Sequence, residues 1–201
     1  MDTTFEIEDQ QRAWILRLRS KDGMNRLSSA TVLALTDAVR KLAGNNRPLI
    51  ITGNEHFFSA GADLNEIAAL AGPSAYEFAR TGQELMRTVG EFPAPVYAAI
   101  SGYCVGGGLD LALACHGRIA APHAVFGHRG AALGLITGWG GTQRLPRLIG
   151  KARALEMFIA AGKIRADQAL NMGLIDAIAE DPVAEALGYC RQVTVPTAEN
   201  A

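Results

Sequence analysis

Along WILRLR, residues 14–19, Trp14, Leu16 and Leu18 alternate with Ile15, Arg17 and Arg19. A period of two predicts a strand, and FEIE upstream predicts its partner. Ser28 or Ser29 stands ready to cap ATVLALTDAVRKL, and Gly44 lies just past that run, which predicts a helix between them. RPLIIT, residues 47–52, is a short apolar run bounded by turn residues and predicts a buried strand. DLNEIAAL predicts a short helix. AYEFARTGQELMRTVGEF, residues 75–92, predicts a longer amphipathic helix that FPAP ends. VYAAISGYCV, residues 96–105, predicts one strand feeding a glycine run, and GGLDLALACH a helix leaving it. GRIAA and AVFGH read as further strands, and GAALGLITGWGG as a second glycine-rich loop. TQRLPRLIG, KARALEMFIAAG and RADQALNMG read as short helices, LIDAIA as a last strand and PVAEALGYCRQV as a last helix. TVPTAENA is expected to fray.

Strands that alternate with helices predict an α/β fold. The sequence shows no internal repeat, low-complexity segment or clear linker, so one domain is expected. Its main body spans about 1–145, and a helical part follows over about 146–201. At 201 residues the chain is long enough for one sizeable core. A formal net charge of −1 gives no global basic field, so neither nucleic acid nor an anionic membrane is the expected partner. Cys104, Cys115 and Cys190 are odd in number, widely spaced and set among apolar residues. They predict buried free thiols rather than a disulfide framework. The acidic N-terminus lacks an apolar signal region, and no apolar run is long enough to span a bilayer, so the cytoplasm is the expected location.

Two stretches share one design: strand, small residues, helix. They are LIITGNEHFFSAGADL and VYAAISGYCVGGGLDL. A helix N-terminus carries unsatisfied N–H groups and a positive dipole end. Two such ends aimed at one point would form an oxyanion hole. Turn chemistry and packing explain either glycine run equally well. VGGGLD lacks the Lys-Ser/Thr of a phosphate loop and the spacing of a dinucleotide fingerprint.

FFSAGADLNEI, SGYCVGGGLDLALACHGRIAA, FGHRGAALGLITGWGGTQRLPRLIGKARALEM and ADQALNMGLID occur in that order. Together they resemble the enoyl-CoA hydratase/isomerase (crotonase) family. The resemblance implies a ββα superhelix, acyl-CoA substrates, and assembly as a homotrimer or hexamer. It implies no tightly bound cofactor, coenzyme A being part of the thioester substrate, and no metal. It implies that backbone N–H groups at Ala60 and Gly107 hold the thioester oxygen, with Ala62 and Gly106 beside them. Asn25, Arg26, Leu27, Asp63 and Leu64 are the matching positions for coenzyme A contacts. Ala68, Leu70, Leu133, Ile136 and Trp139 fit an acyl pocket or ordinary core packing alike.

Three departures from the family pattern stand out. Where hydratases carry a glutamate three residues after the glycine run's donor, this chain has Asp110. Residues i and i+3 share a helix face, so Asp110 is a candidate acid/base, or a first-turn acid that favours its helix. The second glutamate position is Gly130. In a strand, His128 would point to the same side as Gly130, which makes it a candidate proton carrier or a strand residue with an ordinary hydrogen bond. Gly130 itself would leave a gap for a bound anion or water, as in relatives with FGQTG at this place. Finally, the helical segment expected to roof the acyl pocket is short. Three readings follow: a hydratase/isomerase, another enolate chemistry (hydrolysis, decarboxylation or ring closure), or a silent acyl-CoA-binding paralogue.

Overall fold

A computed structural model describes residues 4–192, so the tail expected to fray at TVPTAENA lies outside the described residues. Strands β1 (Thr4–Asp9) and β2 (Trp14–Arg19) form an antiparallel hairpin. Strand β3 (Arg26–Leu27) leads into helix α1 (Ser29–Ala43). Ser28 caps that helix by accepting the Thr31 N–H at 3.2 Å, and Gly44 follows its last turn. Then come β4 (Leu49–Thr52), β5 (Phe57–Ser59), β6 (Gly61–Ala62), α2 (Leu64–Ala68) and α3 (Gly72–Gly90). Strands β7 (Val96–Ile100) and β8 (Tyr103–Val105) precede α4 (Gly107–Ala114). Strands β9 (Gly117–Ala120) and β10 (Val125–Gly127) lead to a 3-10 turn (Arg129–Leu133). Helices α5 (Gly141–Ile149) and α6 (Lys151–Ala160), strand β11 (Ile164–Arg165), helix α7 (Ala166–Asn171), strand β12 (Ala177–Ile178) and helix α8 (Pro182–Gln192) follow.

The main sheet has the order β1-β2-β4-β7-β9-β12, and β2, β4, β7, β9 and β12 run parallel. Its central strands are apolar on both faces because both are covered. Leu16, Leu18, Leu49, Ile51, Val96, Ala98 and Ile100 pack into a core shared with α1, α3 and α4. Their neighbours Ile15, Ile50, Ala99 and Ile119 pack against Ala186 and Cys190 of α8. One strand period of two thus separates two hydrophobic layers. All three cysteines are buried free thiols.

A second sheet, ordered β11-β10-β8-β5, sets up the site. Strands β5, β8 and β10 are parallel neighbours, with Ser59 opposite Cys104 and Gly127 opposite Val105. Parallel strands end at the same edge. Residues 60–62, residues 106–107 and His128 therefore all emerge side by side, beyond the carboxyl ends of the strands, where α/β sheets bind ligands.

Several elements differ from expectation, among them the short strands β3, β5, β6 and β11, which the sequence pattern did not predict. The single strand predicted over 96–105 is two strands in different sheets. Gly102 turns the chain between them with φ +62°, and a Cβ there would collide with the His56 backbone. The periodicity continues across this corner because both halves are buried. The glycine-rich loop after His128 also contains a 3-10 turn rather than only irregular backbone.

Candidate active site

A cavity of about 500 Å³ opens at that strand edge. Asp110, His128, Arg129 and Thr137 bring polar side chains to it, and α3 and the loop after the 3-10 turn give it apolar walls through Phe78, Leu135 and Trp139. The backbone floor is built by close approach. Gly61 lies at φ +90°, and a Cβ there would come 2.9 Å from the Gly107 nitrogen and 2.7 Å from Val105 O. A Cβ on Gly107 would in turn come 3.2 Å from the Ala62 nitrogen. The Gly107 N–H opens α4 and so has no partner within the helix. The Asp63 N–H donates to Leu27 O at 3.3 Å, so the preceding Ala62 N–H points to the opposite side of its strand, toward Gly107. Two amides thus approach each other at the positive end of α4.

The Ala60 N–H does not join them. It donates to Met24 O at 2.9 Å, which overturns the expectation that Ala60 supplies the first donor. Ala60 lies between β5 and β6, outside either strand, and with its amide taken the Ala62 amide is the one that faces Gly107.

Asp110 sits one helical turn beyond Gly107, almost fully buried. The Thr137 hydroxyl donates to its Oδ2, and His128 Nε2 lies 3.5 Å from its Oδ1. Burial lifts the Asp110 carboxyl to about 7, against the opposing pull of Thr137, the Arg144 guanidinium and the Gly141 amide. Burial also lowers the His128 imidazole to about 4. Near neutral pH the two are therefore not an ion pair. His128 is not on a strand, as expected, but precedes the 3-10 turn. It still enters the cavity, with its ring 5.2 Å from that of Phe158.

A profile of the family described as Enoyl-CoA hydratase/isomerase matches residues 8–200. The chain belongs to the enoyl-CoA hydratase/isomerase family. It is an enzyme of this family, with a mixed α/β crotonase fold. It is 38% identical over 179 residues to a crotonyl-CoA hydratase of Syntrophomonas wolfei, covering 87% of this chain and 68% of that one. The structure of an enoyl-CoA hydratase from Bacillus anthracis superposes with a TM-score of 0.88 at 34% identity, covering 94% of this chain and 75% of that one. Pseudomonas aeruginosa DspI gives a TM-score of 0.89 at 32% identity, over 96% and 76%.

Within this family fold, Ala62, Leu64, Gly106, Gly107, Asp110, His128, Gly130 and Trp139 all border this cavity. Ala60 borders it too, with its amide committed elsewhere. Asn25 and Leu27 are completely enclosed and lie outside the cavity lining. Asn25 instead braces β5, its Nδ2 donating to Phe57 O at 3.0 Å and Phe58 O at 3.2 Å. Arg26 is paired with Asp22, and Asp63 caps α2 by accepting the Asn65 N–H at 2.8 Å; both lie outside the cavity lining. Gly130 borders the cavity, and a Cβ there would come 2.8 Å from Leu135 O, so no side chain stands at this position without a shift of that carbonyl.

Arg144 and Gly141 had no signal in the sequence, and Thr137 stands where some relatives place an acid but gave no sign of a partner. Thr137 reaches Asp110 across 27 positions of chain, and only the fold brings them together. Among the described residues no cluster of His, Cys, Asp and Glu is arranged to hold a metal ion, and no helix is long and apolar enough to cross a membrane.

Proposed function

We propose that the protein acts on acyl-CoA thioesters, stabilising a thioester enolate between the Ala62 and Gly107 N–H groups, with Asp110 as the acid/base. The observation that carries this reading is the approach of those two amides at the N-terminus of α4, held open by the absent side chain of Gly61. Donors fixed where negative charge develops stabilise an enolate without reorganising. Asp110, three residues after Gly107, shares a helix face with that amide and so stands beside the carbon that loses or gains a proton. Trp139 and Phe78, with ring centroids 5.3 Å apart, give the hole an apolar wall that limits water.

Hydration of a crotonyl-CoA-like substrate is the reading closest to the relatives. The missing side chain at Gly130, where the Leu135 carbonyl leaves no room for one, supports a second: an enolate reaction that needs only one carboxyl group. Both share the enolate, so the deciding test measures it directly. In deuterated water the protein should exchange the α-protons of butyryl-CoA, and Asp110→Asn should slow this by about 10²–10⁴-fold. Loss of the conjugated absorbance of crotonyl-CoA then separates hydration from the alternatives. A protein that neither exchanges nor hydrates would reject the reading. We infer as well that it works as a homotrimer or hexamer, supported by apolar side chains left outward on α6 and near the cavity mouth.

A further inference from the structure

Asp110 Oδ1 and His128 Nε2 are both enclosed, and neither has a hydrogen-bond partner. They face each other at 3.5 Å. A carboxylate oxygen and an unprotonated imidazole nitrogen are both acceptors, so neither satisfies the other. One proton between them satisfies both. We propose that Asp110 and His128 share a single proton, and that His128 is a positioning residue that keeps Asp110 protonated in the resting enzyme.

The two carboxyl oxygens then have different surroundings. Oδ2 accepts the Thr137 hydroxyl, and Oδ1 turns inward to His128. Both alternatives leave an ionised carboxylate in a site where the two side chains are 2% and 4% exposed: carboxylate beside imidazolium, which buries two ions, and carboxylate accepting from a neutral Nε2–H imidazole, which buries one ion with no opposite charge on His128. A buried ion pair holds only with further hydrogen bonds; the Thr137 hydroxyl and the Gly141 amide favour the carboxylate, and burial outweighs them. The His128 ring instead lies against Phe158 of α6, a surface suited to a neutral imidazole. The other titratable or charged groups facing the dyad are Arg144 of α5 and Cys104 of β8, while Arg129 of the 3-10 turn lines the same cavity. Arg144 favours the carboxylate, and burial outweighs it.

This inference deepens the enolate reading: any step in which Asp110 gives a proton should fade as pH rises through the dyad's midpoint. Its test needs no turnover and so stands apart from that reading. Infrared spectra of the full chain across the pH range 4–9 would follow the carboxylic acid C=O band, assigned by its loss in Asp110→Asn. The expected result is a band present in mildly acidic solution that disappears with a midpoint near neutrality. In His128→Gln an amide N–H meets Oδ1 and favours the carboxylate, so the midpoint should fall by about one pH unit or more. Thr137→Val removes a donor from Oδ2 and should move it upward. An Asp110 that ionises in the wild type below about pH 5, the ordinary carboxylate range, would overturn the proposal. So would a midpoint unmoved by His128→Gln.

Discussion

Asp110 is buried where an ionised carboxylate gains little solvation, and folding lifts its proton affinity from the usual 3.8 to about 7. Between those values the folded chain holds a proton that the unfolded chain has released. Stability contributed by Asp110 is therefore full below about pH 4 and is lost as pH rises toward 7. Asp110→Asn removes that loss. Relative to wild type, the variant should gain stability with rising pH across this window, at up to about 1.4 kcal/mol per pH unit. Urea denaturation at pH 4.5 and 7.5 measures it, and a difference independent of pH would mean that Asp110 titrates normally. At this scale the sequence was informative about positions but not about directions. The small residues 60–62 were legible as bare backbone at a strand end, and Ala60 and Ala62 do border the cavity. Which amide faced the cavity depended on a hydrogen bond from Ala60 to Met24, 36 residues upstream, that no local pattern carries. The same holds for Gly130, whose empty side depends on where the Leu135 carbonyl comes to rest.

Elements bring the active groups together through three parallel strands that end at one edge, and one loop side chain closes the arrangement. The Trp139 indole lies where a Cβ on Gly82 of α3, or on Gly107 of α4, would sit. Its Nε1–H donates to Phe78 O at 3.3 Å. Two helices thus leave room for one large side chain, and that side chain fixes the distance between α3 and the start of α4. Trp139→Ala should destabilise the fold by about 3–5 kcal/mol through the cavity it creates. It should also admit water to the hole and reduce α-proton exchange more than global stability accounts for. Thermal unfolding together with exchange measured well below the melting transition separates the two effects; full exchange in a folded variant would assign Trp139 to packing alone. Periodicity predicted most helices to within a few residues, since α1 and α4 carry caps or glycine starts that read locally. The Gly102 corner was hidden because β7 and β8, though in different sheets, are both apolar.

The whole molecule leaves an apolar face uncovered beside the cavity. Helix α6 buries Ala154 and Met157 and turns Leu155 and Ile159 outward, 58% and 69% exposed. Those two side chains are four residues apart, so they form one stripe. The neighbouring loop adds Leu133 and Ile136, 58% and 70% exposed, which also line the cavity. Contiguous exposed apolar surface of this kind marks association in water-soluble proteins. A second copy seated here would cover the stripe and narrow the cavity mouth together, tying assembly to the dryness that an oxyanion hole requires. Light scattering at micromolar concentration should then give a mass several times the 21.3 kDa of one chain. The double variant Leu155→Glu, Ile159→Glu should fall toward the monomer. Its α-proton exchange should drop with it, although neither residue borders the cavity. A variant that becomes monomeric with exchange undiminished would separate assembly from chemistry, and a monomeric wild type would remove the premise.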